Sequence, residues 1–163
     1  MSARALVYGF GPFQNYRHNV TSDIVAEINQ TGLATGIVFD VRFDREMFED
    51  AIKHHRPDII IGMGQHPGAK KIRIERRAVN WRKDDQLNEQ MIAENGPRYR
   101  YTSLKIPDDD LSTITYDAGT YVCNFSMYVM CEYSKRTGVP FAFLHVPFDV
   151  DPKRVVRYIL NSV

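Results

Sequence analysis

The sequence predicts an α/β fold, a three-layer α/β/α sandwich around a mostly parallel, twisted sheet. Short apolar or β-branched runs alternate with segments whose apolar residues recur at helical spacing, which is typical of a sheet covered by helices on both faces. Two of the runs, 58–63 and 141–148, are continuously apolar, as in central strands that are buried on both sides. We expect residues 1–163 to form one domain.

The first elements follow from local patterns. Residues 3–10 are predicted to form a buried strand. Asn19 can cap a helix that Gly32 ends. The β-branched run 37–43 is predicted to be a strand, and the amphipathic segment after it to be a helix ended by Pro57.

The middle of the chain is less regular. Residues 64–68 are predicted to turn at the carboxyl end of a central strand, where ligands usually bind in open α/β sheets. Residues 71–79 alternate charged and apolar side chains, which indicates a strand with one wet face. The polar segment 81–97 is predicted to be an excursion loop, and 98–106 to be another strand or hairpin arm.

The last third of the chain again shows clear local patterns of secondary structure. An apolar helix is predicted to start at Cys123 and to end at Gly138. The strand 141–148 follows. Asp151 and Pro152 form a cap and first-turn pair that begins a final amphipathic helix.

Composition limits the possible partners and compartment. The 163 residues carry 21 basic and 20 acidic side chains, a formal net charge of +1, which argues against a nucleic acid or a membrane surface as the main partner. The two cysteines, Cys123 and Cys131, are eight residues apart in one predicted helix, a rise of roughly 12 Å that is too long for a disulfide. With no signal-peptide pattern and no membrane-spanning run, the sequence predicts a reducing, cytoplasmic setting.

The segment 118–124 is the strongest chemical signal. Gly119 provides a turn into a helix that begins with the Cys123 thiol. Helix N-terminal N–H groups and the positive end of the dipole stabilise a thiolate, so this placement predicts a lowered thiol pKa. The alternative is a cysteine used as a small buried hydrophobe.

A cysteine nucleophile needs a nearby base. Of the five histidines, His145 lies in an apolar strand near the same sheet edge, with a satisfied core histidine as the alternative. His54 and His55 are expected at the surface, while His18 and His66 lie in loops and remain undecided. The histidines are scattered and no C-x-x-C motif occurs, so neither a metal nor a cofactor is predicted.

Five motifs then occur in order along nearly the whole chain: GFGPF at 9–13, GQ at 64–65, IER at 74–76 with Ala78 and Asn80, AGTYVCN at 118–124, and FLHVP at 143–147. Together they resemble the pyrrolidone carboxyl peptidase (pyroglutamyl peptidase I) family. The resemblance implies an α/β/α sandwich and a cytoplasmic cysteine peptidase that removes N-terminal pyroglutamate from peptides. It also implies dimers or tetramers.

By motif position, the resemblance makes Cys123 the nucleophile, His145 the base and Glu75 the group that orients the base. From strand alternation alone, Glu75 could equally be an exposed salt-bridge partner. Pyroglutamate is a neutral lactam, so its site should be an apolar slot with a few fixed hydrogen-bonding groups. The residues expected to bind it are Phe10, Phe13, Asn19, Gln65 and Tyr121.

The sequence also departs from the family pattern. Asp85 stands where the family carries an arginine thought to assist the oxyanion hole, unless Arg82 or Lys83 substitutes for it. The segment 104–117 is shorter than the family's by roughly two helical turns. These differences leave open a non-catalytic or altered-specificity relative that binds a small lactam-like ligand or a partner protein. A nucleoside-phosphorylase-like enzyme is a weaker alternative, because no glycine-rich phosphate loop occurs.

Overall fold

Residues 4–163 are the part of the chain that the computed structural model describes. Their helices are α1 (Val20–Thr31), α2 (Arg45–His55), α3 (Val122–Thr137) and α4 (Pro152–Leu160). Their strands are β1 (Ala5–Phe10), β2 (Thr35–Phe39), β3 (Ile59–Gln65), β4 (Ile72–Glu75), β5 (Arg77–Val79), β6 (Arg82–Lys83), β7 (Glu89–Gln90), β8 (Tyr99–Tyr101), β9 (Ser112–Thr115) and β10 (Phe141–Val146).

The main sheet has six strands in the order β2-β1-β3-β10-β4-β9. The first four are parallel to one another, whereas β4 pairs antiparallel with β10, and β9 is parallel to β4. The predicted fold class is therefore confirmed, with a mostly parallel sheet at the centre. The antiparallel step between β10 and β4 brings the amino end of β4 to the edge where β1, β3 and β10 end.

Helices cover both faces of this sheet, as predicted. Helices α1 and α4 pack on one face through a cluster that includes Ile24, Ile28, Val155 and Ile159. Helices α2 and α3 cover the other face through an aromatic-rich cluster. Because side chains from both faces are removed from water, the central strands are continuously apolar. No helix within residues 4–163 is long and apolar enough to cross a membrane.

The helix ends agree with the local signals. Asn19 caps α1 by accepting a hydrogen bond from the Thr21 backbone N–H at 3.0 Å, and Gly32 ends it in the left-handed conformation with φ 69°. Asp151 caps α4, whose first residue is Pro152. These boundaries are set by side-chain hydrogen bonds and backbone conformations close by in the sequence.

Two predicted strands differ from the structure. The strand expected at 37–43 is β2, at 35–39, because the residues after it form short-range hydrogen bonds, such as Arg42 N–H to Asp40 O, and Asp44 caps α2. The single strand expected at 71–79 is split at Arg76, whose N–H bonds Thr115 O at 2.8 Å and whose guanidinium bonds Ile106 O at 2.7 Å. As a result β4 stays in the main sheet, while β5 pairs with β8.

The remaining differences lie at the sheet's outer side. The segment predicted as a loop at 81–97 contains the short β6–β7 hairpin, and β9 adds an edge strand that the polar sequence did not predict. The first strand was expected from residue 3, which lies outside the described residues; from Ala5 onward it is confirmed. The assignment of 1–163 to one domain stays a prediction.

Candidate active site

A cavity of about 220 Å³ opens at the edge where β1, β3 and β10 end. Its walls come from these strand ends, the turn after β1 and the start of α3. Seven of the residues selected from the sequence line it: Phe10, Phe13, Asn19, Gln65, Tyr121, Cys123 and His145. Glu75 is the exception, because it lies behind His145. The fold therefore brings residues from five separate parts of the chain to one place.

Cys123 is the second residue of α3, after a turn in which Gly119 has φ 80°. Its side chain is half-buried and faces the cavity. Tyr121 is the N-cap of α3 but makes no side-chain capping bond. The first-turn N–H groups of α3 therefore remain available beside the thiol.

Asn124 fixes this helix start to the neighbouring strand. Its Oδ1 accepts a hydrogen bond from Val79 N–H at 2.9 Å, and its Nδ2 donates to Val79 O and Trp81 O at 2.9 and 3.1 Å. The Asn124 side chain is fully buried, so its three hydrogen bonds are shielded from water. They fix the backbone position of the adjacent residue, Cys123. Sequence reasoning included Asn124 in a motif but assigned it no role.

His145 and Glu75 form a buried pair. The imidazole Nδ1 lies 3.1 Å from Glu75 Oε1, and the side chains are 4% and 0% exposed. Because Phe143 pairs with Glu75 and His145 with Arg73 in the β10–β4 register, all four side chains are on the same face of the sheet. A carboxylate only accepts hydrogen bonds, so the ring donates from Nδ1 and leaves Nε2 as the free base. The alternative of an exposed salt-bridge partner for Glu75 is therefore wrong.

Gly64 is the residue that lets the thiol and the imidazole face each other. It lies on β3 opposite His145. A Cβ atom at this position would overlap Cys123 Sγ and would lie 3.1 Å from His145 Nε2. Only glycine leaves this space open. The sequence showed a glycine at a strand end but not the close approach that requires it.

The thiol is less acidic than its helix position predicted. Burial and, to a smaller extent, the Glu75 carboxylate raise the pKa of Cys123 to about 12. The expectation of a lowered pKa is therefore wrong, because removal from water and a nearby negative charge both disfavour the thiolate. The protonated thiol is thereby favoured at neutral pH.

Part of the cavity wall is aromatic. Phe13 is half-buried and packs against Tyr16 and Tyr121, with ring centroids 5.3 and 6.5 Å apart. Phe10 is only 2% exposed, and its ring belongs mainly to the aromatic core, where it meets Tyr8 at 5.9 Å. Phe13 and Tyr121 therefore provide most of the ring-packing surface, while Phe10 forms the floor.

Asn19 and Gln65 supply polar groups that are held in place. Asn19 is 1% exposed, and it donates to Gly11 O while its Oδ1 accepts from Thr21. Gln65 Oε1 accepts from Val20 N–H at 2.8 Å, so the Nε2 group is its free donor among the hydrogen bonds of residues 4–163. Both side chains fasten the start of α1 to the cavity, and Gln65 offers the cavity an N–H.

The comparisons with known proteins identify the family. The family model for pyroglutamyl peptidase matches residues 3–159. The chain belongs to the pyroglutamyl peptidase family. The classification as a cysteine-type omega-peptidase, which the sequence resemblance implied, is thereby confirmed.

Individual members of the pyroglutamyl peptidase family match over most of the chain. Pyrrolidone-carboxylate peptidase of Vibrio parahaemolyticus is 29% identical over 88% of this chain and 78% of its own length. Pyrrolidone-carboxylate peptidase 1 of Saccharolobus solfataricus is 26% identical over 87% of this chain and 77% of its own length. The crystal structure of pyroglutamyl peptidase I from Bacillus amyloliquefaciens superposes with a TM-score of 0.82 at 25% identity, covering 99% of this chain and 93% of that one.

Asp85, at the position where the family resemblance led us to expect an arginine, is bound to Tyr121. Asp85 Oδ2 accepts a hydrogen bond from the Tyr121 hydroxyl at 3.1 Å. Burial and this carboxylate raise the pKa of Tyr121 to about 12. The guanidinium of Arg82 lies over the Phe43 ring at 5.2 Å, and neither Arg82 nor Lys83 lines the cavity. The cavity-lining residues thus include no lysine or arginine.

His66 is a cavity residue that sequence reasoning left undecided. Its ring meets the His145 ring edge-on at a centroid distance of 5.0 Å. Its Nδ1 accepts from Gly68 N–H at 3.0 Å, which places the ring proton of the neutral form on Nε2. Burial, His145 and Arg73 lower the pKa of His66. Within residues 4–163, no group of three or more histidine, cysteine, aspartate and glutamate side chains is arranged to hold a metal ion.

Proposed function

We propose that the chain is a cysteine exopeptidase that hydrolyses the N-terminal pyroglutamyl residue from peptides. Cys123, His145 and Glu75 act as nucleophile, base and orienting carboxylate. The observation that carries the proposal is the buried Glu75–His145 pair, whose free Nε2 faces the same cavity as the Cys123 thiol.

The first step is attack on the pyroglutamyl carbonyl carbon. Because the pKa of Cys123 is raised to about 12, the thiol carries its proton in the free protein. His145 Nε2 removes that proton as the S–C bond forms. The resulting imidazolium is stabilised by the Glu75 carboxylate next to Nδ1.

Collapse of the tetrahedral intermediate breaks the C–N bond. His145 gives its proton to the leaving amine, and the pyroglutamyl group remains on Cys123 as a thioester. Water then loses a proton to His145 and attacks the thioester, which releases pyroglutamate and returns the proton to sulfur.

The developing oxyanion needs donors other than an arginine. The first-turn N–H groups of α3 are available because Tyr121 does not cap them, and the positive end of the helix dipole favours negative charge there. We infer that these backbone groups form the oxyanion hole. A preorganised backbone donor requires no side-chain ordering during the reaction.

The cavity lining supports a lactam as the bound group. Its lining includes no aspartate or glutamate that could pair with an α-ammonium group. Phe13 and Tyr121 offer flat apolar surface, and Gln65 offers an N–H to a carbonyl. An ordinary N-terminal residue would bury an unpaired charge in this site.

The cytoplasmic location and the association into dimers or tetramers remain predictions from the sequence and the family resemblance. The peptide substrate is also part of this proposal.

The test is release of a chromogenic amine from a pyroglutamyl amide at pH 6 to 9 with a thiol reductant. We expect turnover by the wild type and a loss of at least about a thousandfold in Cys123→Ala. Cys131→Ala is the matched control, because this second thiol of α3 does not line the cavity. Unchanged turnover in Cys123→Ala would contradict the mechanism. A folded wild type that binds 2-pyrrolidone without turning over the amide would favour the non-catalytic relative.

A further inference from the structure

An open groove continues from the catalytic cavity on the far side of His66. Its volume is about 620 Å³, and it shares His66 and Ala118 with the cavity. The groove is lined by His66, Arg73, Arg77 and residues 114–119. The site described so far uses none of its arginines.

The two arginines are held by neutral partners. Arg73 Nη2 donates to Gly68 O at 3.2 Å. Arg77 Nε donates to Tyr116 O at 3.1 Å, and its guanidinium lies 4.2 Å from the centre of the Tyr99 ring. Both side chains are thereby fixed at the groove while keeping further N–H donors.

Neither arginine has a carboxylate partner. Among the salt bridges of residues 4–163, none includes Arg73 or Arg77. The groove's single carboxylate, Asp117, accepts a hydrogen bond from Gly119 N–H at 3.0 Å. Burial, His145 and Arg73 lower the pKa of His66, which disfavours a positive charge on this ring. The groove is therefore lined by two arginines and one carboxylate, which leaves it with a net positive charge.

The groove also lies where the leaving part of a substrate would emerge. His145 gives its proton to the leaving amine, and the His66 ring that packs against His145 forms the border between cavity and groove. Arg73 is the direct register partner of His145 on the neighbouring strand, on the same face of the sheet. A peptide that continues beyond the scissile bond thus passes close to Arg73.

We propose that Arg73 and Arg77 form a subsite that binds a carboxylate carried by the peptide downstream of the pyroglutamyl residue. The carboxylate comes from an acidic side chain or from the peptide's C-terminus. The inference rests on the proposed function, since it requires a pyroglutamyl group in the neighbouring cavity. Guanidinium groups favour this ligand because they can bind a carboxylate with two parallel hydrogen bonds.

The experiment measures affinities by calorimetry for intact peptides and the Cys123→Ala variant, which does not cleave them. The ligands are pyroglutamyl-glutamyl amide and its isostere pyroglutamyl-glutaminyl amide. We expect the acid to bind roughly three- to tenfold more tightly at low salt. The difference should shrink at about 0.5 M salt, because partly exposed charges are screened. Pyroglutamyl-glutamine with a free C-terminus tests the second source of the carboxylate.

Matched variants in the same background test the residues. Arg73→Gln and Arg77→Gln should each reduce the preference for the acid, and Arg77→Lys should keep part of it. Arg98→Gln is the control, because Arg98 lies over the same Tyr99 ring at 5.1 Å but does not line the groove. The salt dependence needs no second variant, so it remains informative if an arginine substitution fails to fold.

The outcomes separate the two proposals. Equal affinity for all three peptides, together with wild-type turnover of the glutaminyl amide, overturns the carboxylate subsite and leaves the peptidase proposal intact. A preference for acid that persists in both arginine variants also overturns it. Failure of every peptide to bind, with no turnover by the wild type, overturns both proposals together.

Discussion

Helix α3 carries one cysteine in its first turn and another near its middle, and comparing them explains why only Cys123 is the proposed nucleophile. Burial is the main cause that raises the pKa of both Cys123 and Cys131, each to about 12. The nearest charges act in opposite directions, since Glu75 raises the pKa of Cys123 further while Arg100 lowers that of Cys131. Electrostatics alone would therefore favour Cys131 as the thiolate.

Cys123 lies in a cavity beside a base, whereas Cys131 does not. Cys131 is 2% exposed and packs within the aromatic-rich core on the α3 side of the sheet. Cys123 faces the His145 Nε2 across Gly64. The helix N-terminus then has a different role from the one first expected. In the proposed mechanism its N–H groups stabilise an oxyanion, while proton removal by His145 activates the thiol.

The largest expected effect comes from Glu75→Gln, which keeps the shape of the side chain and removes its charge. We expect turnover of the pyroglutamyl amide to fall about a thousand- to ten-thousandfold, because an amide can donate to Nδ1 and hold the imidazole in the wrong tautomer. The same change removes a charge that raises the pKa of Cys123. Alkylation of Cys123 should therefore become faster at neutral pH as turnover falls.

Glu132, on α3, provides a control for this variant. Glu132 pairs with Arg45 at 3.0 Å and with Arg100 at 3.6 Å and does not line the catalytic cavity. Glu132→Gln should leave turnover within about twofold of the wild type. If Glu75→Gln retained more than a tenth of wild-type turnover in a folded protein, His145 would not depend on this carboxylate.

Gly64→Ala should displace the Cys123 thiol from His145, although neither cysteine is substituted. The new methyl group overlaps Cys123 Sγ and must displace it. A displacement of about 1 Å in a reacting group can cost about a hundredfold in rate, so we expect at least that loss in kcat. Gly11→Ala is the matched control, because the nearest atom to its Cβ is Phe39 O at 3.9 Å. Equal kcat values for the two variants would contradict the proposed geometry.

The sequence predicted best those features whose causes are local. Both ends of α1 and the start of α4 were predicted correctly, because Asn19, Gly32 and the Asp151–Pro152 pair act within a turn of their own helices. The split between β4 and β5 was missed because Arg76 is bound by groups at positions 106 and 115, far along the chain. No alternation of charged and apolar residues could reveal those partners.

The same distinction applies to the candidate site. The order of the motifs selected Cys123, His145 and Glu75, and the structure brings Cys123 and His145 to one sheet edge with Glu75 behind His145. The role of Gly64 and the three hydrogen bonds of Asn124 depend on approaches between distant segments. The direction of the Cys123 pKa shift also depends on burial, which cannot be inferred from the position of the residue in its helix.

The smallest expected effect concerns the pH dependence of the alkylation rate of the two thiols. It is measured with iodoacetamide and mass spectrometry of the labelled peptides. Since the pKa of Cys123 is raised to about 12, its thiolate fraction in the free protein should grow about tenfold per pH unit between pH 7 and about pH 10, without a plateau. Cys131 should stay unlabelled while the protein is folded, because it is nearly inaccessible. In denaturant both thiols should label alike, with a plateau above about pH 9. A plateau for Cys123 below pH 8 in the folded protein would instead indicate a preformed ion pair with His145, and the thiol would then not need a base during attack.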